Sequence, residues 1–492
     1  MRLPKEPLRF LDPGEMETIH QNALRILAQI GMRIHHQEAL DFLESAGCQV
    51  NRENQHVLFP EVTVQDCVRR MQSDYSSRER PKQLAVRYSH VRFRQEPFQI
   101  HSDFSVSTGG YCPFIYDLDG IRRQATLQDT RDALRLAHQL EQISYAGLPV
   151  AGQDVPLPIR PIRMTAELVK HTDKLGGIEA LNRFDIEYIC RIAEVVRGGT
   201  KELYERPCLV GYAEAKTPLT LDEVMCDVYL EYLKRGIPQS LDTMPNAGAT
   251  APMHPAGALT LGVAETLGGL VLAQAVDENA CVTIDVTPGF ADMRTGIFKY
   301  AGAERVSLLG ARIQMISEYY GCPSGVHGGK TDSCVPDVRA GVEKGISMLA
   351  PVLCGAVGFG TVGHIENAVT FSPAQLVIDN EIARYVRRCV SGFEITDEAI
   401  NFDLIKRVGI GGNYLSEMET ANQYREFLNL SQWSSAEPWA TAWSDNQVID
   451  WNSRAEETVR ELLQQDYEPP LSIEQEREID SIVTEAERRL SL

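Results

Sequence analysis

Two glycine-broken apolar runs, at 322–328 and 352–360, open into loops crowded with side chains capable of chemistry. The first loop holds His327, Lys330, Asp332, Ser333 and Cys334, and the second holds Phe359, His364, Glu366, Asn367 and Phe371. The donors of His327, Cys334, His364 and Glu366 suit a zinc ion by type, but their spacing fits no compact zinc signature. No G-x-S-x-G elbow and no P-loop occurs, so neither a serine nucleophile nor a phosphate cradle is indicated. Aromatic residues are better represented: Tyr111, Phe114, Tyr116, Phe359 and Phe371 could build a cage. Such a cage suits a quaternary ammonium ion, which donates no hydrogen bonds and is held by ring faces. A carboxylate on the same ligand would look to His364, His327, His101 or backbone N–H groups.

These loops need a scaffold that presents strand ends together. Short apolar runs at 143–150, 175–181, 208–212, 237–244, 281–286, 322–326 and 352–359 alternate with helix-like segments at 129–141, 161–171, 185–197, 220–235, 258–277, 303–319, 337–349 and 373–390. An eighth run comes from the hairpin region or from 368–371. Strands alternating with helices imply parallel pairing with right-handed crossovers. Eight units over about 250 residues fit a (β/α)8 TIM barrel, whose chemistry sits on loops at the carboxyl ends of strands. GAVGFGTVG comes late and lacks an acidic residue about 20 positions on, so a dinucleotide site is poorly supported.

Before this core, helical periodicity marks 12–48 and 57–72. Period-two alternation over 84–105 and the turn signal Asp119-Gly120 mark strands and a hairpin. After 395 the chain is mostly helical, at 397–407, 415–427, 447–465 and 472–490. The expected division is 1–125 for N-terminal helices and hairpin, 126–395 for the barrel, and 396–492 for a C-terminal helical extension. Trp433, Trp439, Trp443 and Trp451 cluster there, as cover for a core or interface, or as an aromatic lid. The charged terminal helix reads as a solvated face or packing arm.

Composition narrows the partners. A net charge of −20 opposes nucleic acid and anionic membrane surfaces. The first residues lack a signal-peptide core, and no continuous run of about 18 apolar residues suggests a membrane span. Eleven dispersed cysteines without a C-x-x-C pair fit reduced thiols. A cytoplasmic setting is expected.

Five blocks occur in order: MPNAGATAP (244–252), ADMRTG (291–296), KTDSCVPDVRAGVEK (330–344), ENAVTFSPAQLVIDNEIA (366–383) and GIGGNYL (409–415). By these blocks the chain resembles the trimethylamine:corrinoid methyltransferase family, in its glycine betaine methyltransferase-like subgroup that lacks pyrrolysine. The resemblance implies an α/β barrel that moves a methyl group from a quaternary or tertiary amine to the cobalt(I) of a corrinoid. A separate corrinoid protein would supply that cofactor, none being held covalently, and a homo-oligomer is expected. Within the matching fold, Tyr111, Tyr116, Phe359 and Phe371 are expected to line the ammonium, and His364 to bind a carboxylate. Asp332, Ser333 and His364 are the catalytic candidates, and His327, Gly328 and Asp332 would face the corrinoid at the barrel mouth. No metal site is expected. Two positions depart from the family pattern. Glu419-Thr420 stands where relatives often carry His-Thr, and His254 where a smaller residue is expected. The competing readings are a metal-dependent barrel lyase or hydrolase and a betaine-binding homologue without catalysis.

Overall fold

The computed structural model describes residues 3–76, 98–239, 241–278, 280, 282–428, 433 and 450–491. The alternating stretch expected at 84–97, and Trp439 and Trp443, lie outside the described residues. The architecture is mixed α/β. Helices start where the sequence offers caps: Asp12 and Glu15 form a reciprocal capping box for Pro13–Gln29, and Thr126 and Asp129 do the same for Leu127–Gln139. The Pro13–Gln29, Gln37–Ser45 and Glu61–Ser76 helices pack on Pro255–Val276. That last helix is long and apolar enough to cross a membrane, but its most apolar window is 89% buried inside the fold. It is the core helix of this region. Gly268 and Gly269 let it close on Met32 and Leu241, where a Cβ would meet side-chain atoms at 2.4 and 2.5 Å.

The strands are two or three residues long, shorter than the apolar runs, and Ala213–Ala215 and Gly289–Ala291 lie just beyond the runs at 208–212 and 281–286. Parallel neighbours nevertheless follow one another in chain order. Ser107 pairs with Tyr145, Ala146 with Leu175, and Gly177 with Val210. Ala213–Ala215 pairs with Leu241–Thr243, and Asn246–Ala247 with Gly289–Ala291. Gly325–Val326 pairs with Gly358–Phe359, which in turn pairs with Ser105–Val106, so the last segment lies beside the first. The eighth run is therefore the one preceding the hairpin, at Ser105–Val106. Residues 368–371 are used differently: Thr370–Phe371 joins His364–Ile365 and the hairpin of Phe114–Tyr116 and Arg122–Gln124 in a separate sheet.

Among the described residues no ladder joins 284–287 to 322–326. The buried Arg312 side chain stands there instead. Its Nε donates to the Val286 carbonyl at 2.8 Å and its Nη1 to Ser324 Oγ at 2.7 Å. Further bonds reach the Gly325 carbonyl and the Asp285 carboxylate. A guanidinium has five donors in a rigid fork, which suits it to join backbone carbonyls that are too far apart to pair through a ladder.

At the C-terminal end, Trp451–Gln464 packs on Pro373–Val390, and Ile473–Arg489 packs on Arg183–Arg197 and Arg160–His171. The terminal helix is a packing arm, with Ile479, Ile482, Val483 and Ala486 buried. Trp433 is buried and meets Trp451 edge-on at 5.7 Å, so these two cover a core.

Candidate active site

A cavity of about 360 Å³ opens where the parallel segments end. Its wall takes Tyr111 from the turn after the first segment, Tyr145 from the second, Glu179 from just past the third, and Tyr212 and Glu214 from the fourth. Asp242, Asp285, His327 with Lys330, and Phe359 with His364 follow in turn around the cavity. Gly109 makes the close approach possible. It has φ +69°, and a Cβ there would lie 3.0 Å from Thr361 and 3.2 Å from the His364 ring.

The acids are held in different ways. The Glu179 N–H donates to the Tyr111 hydroxyl oxygen at 2.9 Å, and the Tyr212 hydroxyl donates to Glu214 Oε1 at 2.8 Å. Asp242 accepts the Thr243 N–H at 2.8 Å and lies 3.8 Å from His327 Nε2. Asp285 is paired with Arg312. Burial first, and the charge of Glu214 second, push the Glu179 carboxyl up to about 7. Burial also raises Glu214, against the Tyr212 hydrogen bond and the Lys330 charge. Asp242 is pushed well above the carboxylate range by burial and by the charges of Asp285 and Glu214. Lys330 moves the other way, to about 7, because burial and then the Arg305 charge disfavour its ammonium form. His364 is pulled down to about 3 by burial and by Lys344 and Lys330. Its ring faces the Pro149 backbone without a well-formed hydrogen bond at either nitrogen.

Of the residues expected from sequence, Tyr111, Phe359, His327 and His364 line the cavity. The others do not. Phe371 is fully buried behind His364, edge-on at 6.3 Å. Tyr116 lies on the Phe114–Tyr116 strand of the separate sheet, and the Phe114 ring is already covered by the Arg122 guanidinium at 3.8 Å. Asp332 sits among Lys299 and Arg339, at 3.9 and 3.5 Å. The Ser333 carbonyl accepts the Glu366 N–H at 2.7 Å, tying the two loops together. Gly328 supports the wall from behind, where a Cβ would meet Phe359 at 3.0 Å. His101 is buried beside Asp103 and does not line the cavity.

The four zinc-type donors are not brought together. His327 and His364 face the cavity, Cys334 is exposed, and Glu366 pairs with Arg122 at 2.7 Å. No three His, Cys, Asp or Glu side chains among the described residues are placed to hold a metal ion. Neither departure from the family pattern lines the cavity. His254 caps the Pro255–Val276 helix, and Glu419 pairs with Arg407 at 3.1 Å.

Sequence reasoning missed the acidic wall, together with Tyr145 and Tyr212. A signal was present. Glu179 in GGIEAL, Glu214 in GYAEAK, Asp242 in LDTMP and Asp285 in TIDVTP each place one acid at the end of successive apolar runs. An acid in a buried run demands a partner or a function.

A sequence model of the trimethylamine methyltransferase family matches residues 2–491. A glycine betaine methyltransferase of Desulfitobacterium hafniense (strain Y51) is 30% identical over 95% of this chain and 94% of that protein. A trimethylamine methyltransferase of Methanosarcina mazei is 27% identical over 98% of this chain and 96% of its own length. The crystal structure of the Methanosarcina barkeri monomethylamine methyltransferase compares at a TM-score of 0.47 and 12% identity, over 93% of this chain and 88% of that one.

Proposed function

The chain belongs to the trimethylamine methyltransferase family, and from that premise we propose that it moves a methyl group from a quaternary amine of the betaine class to a corrinoid carried by a separate protein. The observation that carries the reading is the cavity wall: rings of Tyr111, Tyr145, Tyr212 and Phe359 among buried carboxyls. Rings and carboxylates hold a cation without needing it to donate hydrogen bonds. Departure of a tertiary amine from a quaternary ammonium requires no proton, so the cavity needs no general acid. What remains for the protein is to orient the methyl group and exclude water.

A cavity of about 360 Å³ suits a small ligand. It is too small for a macrocycle, so the corrinoid is best placed outside, at the mouth. When presented there it supplies a nucleophilic cobalt. His327 is the expected corrinoid-facing residue with a side chain that is about one-third exposed and that lines the cavity. Asp332, Ser333 and Gly328 would support its loop.

We read the ordered parallel segments as a (β/α)8 barrel in which Arg312 replaces one ladder. The division at 125 and 395 stands as a proposal, with Ser105–Val106 supplying the first barrel strand from within the N-terminal part. A cytoplasmic setting and a homo-oligomer belong to the same proposal.

The test is methyl transfer. Incubation with a Co(I) corrinoid carrier and a panel of betaines is expected to give the methylcorrinoid spectrum with at least one of them. Failure with all of them overturns the reading. Tight betaine binding without transfer would favour the non-catalytic homologue.

A further inference from the structure

We propose that Lys330 holds the anionic end of a zwitterionic quaternary amine, and so makes this cavity select betaines over purely cationic amines. The inference deepens the proposed function and rests on it for the identity of the cationic end. It starts from an anomaly among the buried cations. Lys344 donates to the Gly329 carbonyl and to Asp379 at 2.7 Å. Arg305 donates to the carbonyls of Pro288, Tyr300 and His327, and Arg312 is fully engaged between two segments. Lys330 is 6% exposed and lines the cavity, yet among the described residues it has no hydrogen-bond acceptor or ion-pair partner. Its Nζ stands over the Tyr300 ring, 4.5 Å from the ring centre. A buried ammonium without an acceptor is disfavoured relative to a paired one. A carboxylate brought by a ligand would remove that cost.

The opposite requirement is met on the same wall. Glu214 and Asp242 interact electrostatically with Lys330 and, with Tyr212, offer a cation an acidic and aromatic face. A ligand with an ammonium at one end and a carboxylate at the other therefore satisfies both groups together. A ligand with only the cation leaves Lys330 unpaired and adds a like charge near it. His364, expected from sequence to bind the carboxylate, can offer a neutral N–H but not the charge.

Binding calorimetry on the full chain separates these roles with three ligands. Glycine betaine carries both charges, choline carries only the cation, and 3,3-dimethylbutyrate is the uncharged-carbon isostere that carries only the carboxylate. Lys330→Met is expected to weaken glycine betaine by about tenfold to a hundredfold, the worth of a charge-assisted hydrogen bond. It should weaken 3,3-dimethylbutyrate similarly and leave choline unchanged or tighter. Lys330→Arg, which keeps the charge, should keep the order of preference. Equal losses for betaine and choline, or 3,3-dimethylbutyrate binding indifferent to the substitution, would overturn the proposal. If the binding shifts hold but wild-type protein transfers no methyl group, the proposed function falls and the assignment of Lys330 stands.

Discussion

Glu179 carries the clearest pH signature of the cavity. Its carboxyl is held up to about 7 by burial and by Glu214, so in the free protein it is partly protonated near neutrality. A quaternary ammonium favours the ionised form, and binding then releases a proton. Choline affinity is therefore expected to rise between pH 6 and pH 8, by at most about tenfold per pH unit for one proton released. Calorimetry in buffers of different ionisation enthalpy checks both the slope and the proton. Glu214, Asp242, Asp285, His327 and Lys330 share the wall, and Lys330 loses its charge over the same range, so Glu179→Gln should reduce the slope and Glu179→Gln with Lys330→Met should flatten it. The same shift acts on stability. A carboxyl raised from 4.5 to about 7 contributes stability that is present below pH 4.5 and is lost as pH rises through 7. Glu179→Gln should thus raise the melting temperature at pH 8 and change it little at pH 5, with an upper limit on the order of 3 kcal/mol. Unequal legibility of these residues has a physical origin. His327, Phe359 and His364 stand out because they crowd glycine-rich loops. Glu179 or Asp242 alone reads as a lone acid in an apolar run, and becomes a wall only when segments distant in sequence align. Tyr116 and Phe371 fall outside the cavity because their strands join the separate hairpin sheet, a pairing that nearness in sequence does not reveal.

Helix boundaries were more accessible, since caps and periodicity are local: Arg183–Arg197 and Pro373–Val390 fall close to their expected ranges. The strands are two or three residues long and interrupted by glycine, and the small sheet of Gln49–Asn51, His56–Leu58, Met32–Ile34 and Thr220–Leu221 gives no run long enough to notice. What locks the site-bearing loops to the helices is a buried pair. Lys344 on Val338–Leu353 meets Asp379 on Pro373–Val390 at 2.7 Å, both fully buried. Asp379 also accepts the Gly363 N–H at 2.7 Å and the Gln375 amide at 2.8 Å, while Lys344 holds the Gly329 carbonyl. The pair thereby pins the neighbours of both Lys330 and His364. Removing one partner leaves a buried charge. Asp379→Asn or Lys344→Met should each cost about 3–5 kcal/mol in urea unfolding, and replacing both by apolar residues should cost less than either. Equal or additive losses would contradict this account.

On the scale of the whole molecule, the stretch 393–428 is conspicuous. It holds the Asp397–Ile400, Phe402–Val408 and Met418–Phe427 helices, and none of its residues is buried. Phe393, Ile395, Phe402, Ile410, Leu415 and Met418 are all exposed. A monomer rarely leaves so much apolar surface in water, and a standard interface needs about 20–30 residues a side. Light scattering after size exclusion is expected to give a multiple of the 54.9 kDa chain mass. Phe402→Asp with Leu415→Asp should shift the particle toward one chain. A wild-type monomer at micromolar concentration would refute the prediction.

Each acid of the wall hangs from a different strand terminus. Among the described residues Glu179, Glu214 and Asp242 have no arginine or lysine salt bridge, whereas Asp285 is tied to Arg312 and through it to the Val286 backbone. Recognition can therefore drift one codon at a time at three positions without refolding the scaffold, while the fourth is frozen by its structural duty. Relatives with different diets should differ at the first three far more often than at the last.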